Sequence, residues 1–363
     1  MGMQAGIDTQ GLLACQTLLF AGPVQRRFPR RQDCRQGRHA GACLDHAMPP
    51  LADARHLAER RWLKATDLEE SRPAEPMDKA EPLWSRHAAL PWQDQYSGAL
   101  HRALELVNGG DLHKLVLAVR QSIDLTQPFD PLPLLSRLRR QQAGSCRFLW
   151  QREAGNVFFG ASPERLLSLR GGCLRSDALA GTAGHGDDGQ QLLQSDKDRR
   201  EHELVVETIT DQLRQAGLTP WRRRQPQLAR HGRLTHLHTP ITAETGGLSA
   251  LALADQLHPT PAVAGLPRRE AMAWLRTLEP FERGGYAAPF GWIDSSGDAE
   301  LRVAIRCGHA RGQRLDLTAG AGLVRGSIAE RELQEVGLKL AVLADQLDWS
   351  SDAQSSPRSR SIT

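Results

Sequence analysis

Two stretches of the chain place carboxylates three residues apart: Asp198 and Glu201 in SDKDRREHELVVE, and Glu332 and Glu335 in ERELQEVGLKL. On a helix this spacing puts both acids on one face. Two such faces brought together make an oxygen-only cage suited to a hard divalent ion such as Mg2+. The same acids also suit a solvated surface, and Glu335 has Lys339 four residues on as an ordinary helix pair. A proton-transfer pair is the other chemistry on offer. Lys114 opens the strand-like run HKLVLAVR and shares a face with Val116 and Ala118, while Leu115, Leu117 and Val119 take the other face. Desolvation or a neighbouring cation frees such an amine to accept a proton; a lysine snorkelling from a strand end is the plainer reading. Glu164 stands at the Ser-Pro corner of ASPERLL, where partial desolvation raises a carboxyl pKa and fits it to donate a proton. An exposed glutamate after proline is the alternative there.

Further polar and glycine-rich features surround these. Arg306 in AIRCG carries a planar fork that suits a ligand carboxylate or a structural acid equally. The glycines of TAGAGLV, residues 318–324, let backbone N–H groups near Gly320 approach an anion, or serve only as a turn. His236 and His258 are not at metal-ligand spacing, and the basic run WRRRQPQLARHGR lacks the interleaved aromatics of a nucleic-acid surface.

The elements that must position these residues are legible in outline. YSGALHRALELVNGG has helical apolar spacing and a Gly-Gly stop that feeds the Lys114 strand. NVFFGASPERLLSLRGGCLRS reads as two strands around the Ser-Pro corner, followed by a Gly-Gly hairpin. The helix carrying Glu201 has Ser195 as N-cap, and the helix carrying Glu335 opens with a capping box, Ser327 to Glu330. Between them, residues 288–324 give strands separated by the turns SSGD and ARGQ. Hairpin-linked strands bracketed by helices predict an α+β fold with large antiparallel sheets.

Bulk composition bounds the reading. The 363 residues are 40% hydrophobic, enough for a sizeable core, and 46 basic residues nearly balance 42 acidic ones, so nothing demands a nucleic-acid or membrane partner. Six scattered cysteines without metal-like spacing predict free thiols in a reducing, cytoplasmic setting. GLLACQTLLFAG has the length of a signal core but reversed flanking charge, with Asp8 before it and arginines after. Residues 1–90 read as a divergent, poorly ordered N-terminal segment ending in a linker rich in proline and charge, 91–349 as the catalytic domain, and 350–363 as a solvated, disordered tail.

In this order, HKLVLAVR, GASPERLL, ALAGTAG, SDKDRREHELVVE, THLHTPI, LHPTPAVAG, LEPFERGGYAAPFGWID, VAIRCG, AGAGLV and ERELQEVGLKL resemble the chorismate-utilising enzymes, and within them the isochorismate synthases. The resemblance implies a sandwich of two large antiparallel sheets with flanking helices, the N-terminal part abbreviated. It implies chorismate as substrate, isochorismate as product for quinone (menaquinone) or siderophore synthesis, Mg2+ as cofactor, and a monomer. Lys114 matches the general base that activates water, and Glu164 the general acid that protonates the departing 4-hydroxyl. Glu201 and Glu335 match metal ligands, supported by Asp198 and Glu332. Arg306 and the amides around Gly320 match binders of the enolpyruvyl carboxylate, and Gly181, Thr182, His236, Ala262 and Lys339 match pocket positions. Ala180 stands where aminodeoxychorismate synthases tend to carry a nucleophilic lysine. Ala262 and Val263 favour stopping at isochorismate over the salicylate synthases' further loss of pyruvate. Ala288 departs from a common glycine.

Overall fold

The computed structural model describes residues 92–184, 189–294 and 296–347, together with the short strand β1 (Arg86–His87). The expectations for residues 1–85 and 350–363 lie outside the described residues. Helix α1 (Trp92–Gly109) buries Trp92, Tyr96, Leu100, Ala103, Leu106 and Val107, one apolar stripe at helical spacing. It leads through a left-handed Gly110 (φ 89°) into β2 (Lys114–Leu125). Helix α2 (Pro131–Gln141), which the sequence reading passed over, starts where the Asp130 carboxylate accepts the Leu132 N–H at 3.0 Å. There follow β3 (Cys146–Glu153), β4 (Asn156–Ser162), β5 (Arg165–Arg170) and β6 (Cys173–Ala183). The short α3 (Gln190–Gln194) precedes α4 (Asp196–Gln215), capped as expected by Ser195, whose hydroxyl accepts from the Asp198 N–H at 3.2 Å.

The second half continues with β7 (Trp221–Arg222), β8 (Gln227–His231), β9 (Leu234–Glu244), α5 (Ala250–Leu257), β10 (Gly265–Leu266) and α6 (Arg268–Leu278). The basic run WRRRQPQLARHGR carries two short strands, β7 and β8. Last come β11 (Pro289–Ile293), β12 (Ala299–Val303), β13 (Cys307–Arg311), β14 (Arg314–Val324) and α7 (Ala329–Ala344). The capping box expected at Ser327 does not form: α7 begins beyond Ile328, and the Ser327 hydroxyl instead accepts the Val324 N–H at 3.2 Å and bonds Glu332. Its local partner is the end of β14, which holds it back from the helix start.

Among the described residues the strands form two seven-stranded antiparallel sheets. One runs β1-β2-β14-β13-β4-β3 with β10 also on β2; the other runs β11-β12-β5-β6-β9-β7 with β8 also on β9. Leu115, Leu117 and Val119 of β2 pack with α1, α2, α6 and α7 on the outer face of the first sheet. Ala118, on the opposite face, belongs to a second core that joins both sheets to α4 and α5. The layers are therefore helices, sheet, sheet, helices, which is the α+β sandwich expected. Leu115 and Leu117 are wholly buried; each contributes about 1.5–3 kcal/mol of apolar burial. That anchoring lets the same strand hold an ammonium on its inner face.

The chain crosses between sheets at two adjacent corners. Pro163 and Glu164 link β4 of the first sheet to β5 of the second, and residues 304–306 link β12 of the second to β13 of the first. Proline's missing N–H ends the β4 ladder. The corners are stapled by Val303 N–H to Glu164 O at 3.2 Å and Ala161 N–H to Arg306 O at 3.0 Å. Arg306 takes a left-handed backbone, φ 51°, a conformation that costs a non-glycine residue about 1–3 kcal/mol and clusters at functional sites.

Candidate active site

One cleft between the sheets is lined by Lys114, Glu164, Gly181, Thr182, Glu201 and His236, and also by Ala262, Arg306, Gly322, Glu335 and Lys339, with Val116, Leu179, Ala180 and Ile305 as its apolar wall. Ten of the thirteen residues singled out in the sequence are thereby brought together from β2, β6, β9, α4, α7, the two corners and the loop between α5 and β10. A larger cavity of about 390 Å³, beside Tyr96, Arg120, Phe281 and Arg314, is lined by none of them. The smaller cleft is where the chemistry converges.

Glu164 is buried, and burial raises its carboxyl to about 7 against the opposing pull of Lys114 and Arg306. Thr260 donates to its Oε1 at 3.5 Å. Near neutral pH it is therefore poised between acid and carboxylate. Lys114 is wholly buried, and its Nζ lies 3.0 Å from Glu201 Oε1. Its ionic neighbour is thus a carboxylate, where the sequence reading looked to desolvation or a second cation. Burial pushes the Glu201 carboxyl up, but Lys114 and Lys197 prevail and hold it well below the usual range.

The β6 ladder is irregular between Ala180 and Ala183, and Gly181 supplies the required left-handed φ of 72°. The bulge turns Thr182 to donate to Glu335 Oε1 at 3.1 Å, while the Gly181 carbonyl accepts from His236 Nδ1 at 2.8 Å. A carbonyl only accepts, so Nδ1 carries the proton and Nε2 is left to accept from Arg306 Nη2 at 3.4 Å. Burial and the Arg306 charge hold the imidazole neutral, well below its ordinary value. Arg306 itself is lowered to about 10 by burial and remains a cation at neutral pH. Its Nη1 is buried without a hydrogen-bond partner among the described residues. An unmatched guanidinium N–H in a cleft wall is a ready site for a ligand carboxylate.

The two acidic helix faces do meet. Lys197 Nζ lies 3.1 Å from Glu332 Oε1, 3.4 Å from Glu201 Oε2 and 3.7 Å from Asp198 Oδ1, and Lys339 Nζ lies 2.6 Å from Glu335 Oε1. Asp198 and Glu332 are not part of the cleft lining. Among the described residues no three acids, histidines or cysteines are grouped closely enough to hold a metal ion as they stand. Lysine ammoniums are interposed between the carboxylates. The donor set still fits a hard cation: four carboxylates face three lysines, Glu332 Oε2 is buried without a partner, and burial together with Glu335 pushes the Glu332 carboxyl above its usual range.

Gly320 requires a correction. It is not in the cleft lining: a Cβ there would meet Leu117 O of β2 at 2.7 Å, and its carbonyl accepts from Lys339 Nζ at 2.8 Å. Gly322, the next residue on the same face of β14, lines the cleft instead. A Cβ on Gly322 would lie 2.1 Å from Glu201 Oε1 and 3.1 Å from Lys114 Cε. Gly322→Ala is accordingly expected to displace the Lys114–Glu201 pair and lower turnover by about 10²-fold, the scale of an ångström misplacement. Near-wild-type kcat in a folded Gly322→Ala protein would refute this placement. Sequence reasoning also missed Lys197, whose only signal was its place beside Asp198 on a charged helix face.

Known proteins are similar to this chain. The family profile described as chorismate binding enzyme matches residues 23–348, reaching back beyond the motifs, which begin near residue 113. The salicylate biosynthesis isochorismate synthase of Pseudomonas aeruginosa is 36% identical over 342 residues, 90% of this chain and 70% of that protein. The isochorismate synthase EntC of Escherichia coli is 37% identical over 263 residues, 70% of this chain and 67% of that one. Among solved structures, the menaquinone-specific isochorismate synthase MenF of Escherichia coli superposes with a TM-score of 0.67 at 33% identity, covering 73% of this chain and 63% of that chain. With a profile matching most of its length and relatives above 30% identity, the chain belongs to the chorismate binding enzyme family.

Proposed function

We propose that the protein is an isochorismate synthase, converting chorismate to isochorismate for quinone or siderophore synthesis. The observation that carries this reading is the single cleft in which a buried lysine, a carboxyl raised to about 7 and an arginine with an unmatched N–H converge. After losing its own proton to solvent, Lys114 as the neutral amine takes a proton from the water that bonds to C2 of the ring. Both ring double bonds shift, and the C4–O bond breaks as Glu164 gives its proton to the departing hydroxyl, which leaves as water. One water enters and one departs, so substrate and product are isomers, and the amine and carboxyl regain their starting states by proton exchange. Arg306 binds one substrate carboxylate through Nη1, with neutral His236 holding the guanidinium in place. The apolar wall of Val116, Leu179, Ala180 and Ile305 limits competing water.

Glu201 and Glu335, with Asp198 and Glu332, are the residues that would hold Mg2+. A bound Mg2+ would supply positive charge to neutralise the ring carboxylate.

Purified protein incubated with chorismate and Mg2+ is expected to accumulate isochorismate without stoichiometric pyruvate. Sustained pyruvate release would move the assignment to salicylate synthase. Absence of any chorismate turnover by well-folded protein would overturn the enzymatic reading.

A further inference from the structure

Strand β2 is paired along its length with β14 on one side, but on its other side with β10 only at Lys114 and Leu115 and with β1 only at Asp124 and Leu125. Buried backbone groups between those pairings need partners from elsewhere. The Ala264 carbonyl accepts the Val116 N–H at 2.7 Å, and two side chains 161 or more residues away serve the Val116 carbonyl and the Ala118 N–H. Glu279 Oε1 accepts the Ala118 N–H at 2.9 Å, and Arg283 Nη2 donates to the Val116 carbonyl at 2.7 Å. The two are locked together, Arg283 Nε to Glu279 Oε2 at 2.7 Å and Nη2 to Oε1 at 2.6 Å, and the arginine lies 5.5 Å over the Tyr286 ring. Arg283 Nη1 meanwhile donates to the Val263 carbonyl at 2.7 Å. One guanidinium therefore ties the strand two residues beyond Lys114 to the loop that holds Ala262 against the cleft and Thr260 against Glu164.

We propose that Glu279 and Arg283 are positioning residues that fix the separation of Lys114 and Glu164 through the backbone, without touching substrate. Neither lines the cleft. Arginine is required for its geometry: three acceptors in different directions match a rigid planar fork, whereas a lysine presents one point charge on a flexible stem. The proposal rests on the assignment of Lys114 and Glu164 as base and acid.

The test compares wild type, Arg283→Lys and Glu279→Gln for kcat, KM for chorismate, the pH–rate profile and thermal unfolding, all with Mg2+. Arg283→Lys is expected to keep its fold and KM within a few-fold while kcat falls by about 10²-fold. The alkaline limb should also move to lower pH, because loosening the Thr260 loop admits water to Glu164 and weakens the burial that raises it. Glu279→Gln, which keeps its length but loses charge, should fall between. If Arg283→Lys does not fold, Glu279→Gln decides alone. Folded variants with wild-type kcat and an unshifted limb, whatever their melting temperature, would overturn the proposal, as would a loss carried wholly by KM. A wild type that forms no isochorismate would overturn the functional assignment and this inference with it; an active wild type beside unaffected variants would overturn this inference alone.

Discussion

Lys114→Ala is expected to lower kcat by about 10³-fold, within the range that a positioned general base contributes, while leaving a folded protein. The structure separates the two effects. Lys114 Nζ is wholly buried against Glu201 Oε1 at 3.0 Å, and removing one member of such a pair typically costs about 3–5 kcal/mol when the other is left alone. Glu201 is not left alone, because Lys197 remains 3.4 Å from its second oxygen. The stability loss should therefore fall short of that range, whereas among the described residues no other amine lines the cleft except Lys339, which is engaged by Glu335 at 2.6 Å and by the Gly320 carbonyl. Single-turnover rates with saturating chorismate, read beside thermal melts, would show the difference. A kcat within tenfold of wild type would remove Lys114 from the role of base.

What the sequence made legible and what it hid follow from the range of the interactions. Period-two alternation identified the Lys114 face correctly, since Leu115, Leu117 and Val119 sit in the outer core and Ala118 in the inner one. The i, i+3 acids marked the helix faces that meet around Lys197. Ser-Pro-Glu marked a corner, but nothing local showed that the corner is a crossing between sheets stapled to the Arg306 corner. Gly320 and Gly322 lie on the same face of one strand, and only packing against α4 tells which of them meets Glu201. Ser327 looked like a helix cap because Glu330 follows it at the right spacing, yet the end of β14 competes for its hydroxyl. Glu279 and Arg283 stood inside a quoted motif with no sign of their task, because the backbone they satisfy belongs to a strand more than 150 residues earlier.

On the proposed assignment, one small volume holds both acid and base. Both sheets contribute, so each reactive group is fixed by a different rigid layer: Lys114 by the first sheet, Gly181 and Thr182 by the second, and Glu164 and Arg306 by the corners between them. Burial then acts with opposite signs on acids and cations. It raises Glu164 to about 7 and lowers Arg306 to about 10, so the arginine stays charged at neutral pH while the carboxyl is brought close to neutrality.

Glu164→Gln is the sharpest test of that balance. An amide keeps the shape and the Thr260 contact but cannot give up a proton to a departing hydroxyl, so kcat should fall by about 10²–10⁴-fold with KM little changed. On the proposed assignment the protonated form is the active acid, so the Glu164 limb should fall with unit slope as pH rises through about 7. The variant's residual rate should lack that limb. Stability should respond as well. Glu164 has a folded value near 7 against 4.5 for the free group, so its favourable contribution is full below pH 4.5 and is lost as pH rises through 7. The difference corresponds to about 3 kcal/mol. Glutamine carries no such dependence, so Glu164→Gln should gain stability relative to wild type between pH 4.5 and 7 and hold the gain above it. Denaturation curves at pH 4.5 and pH 8 measure the gain directly. A wild-type limb that persists in the variant would assign the titration to another group, and an unchanged kcat would remove Glu164 from acid catalysis.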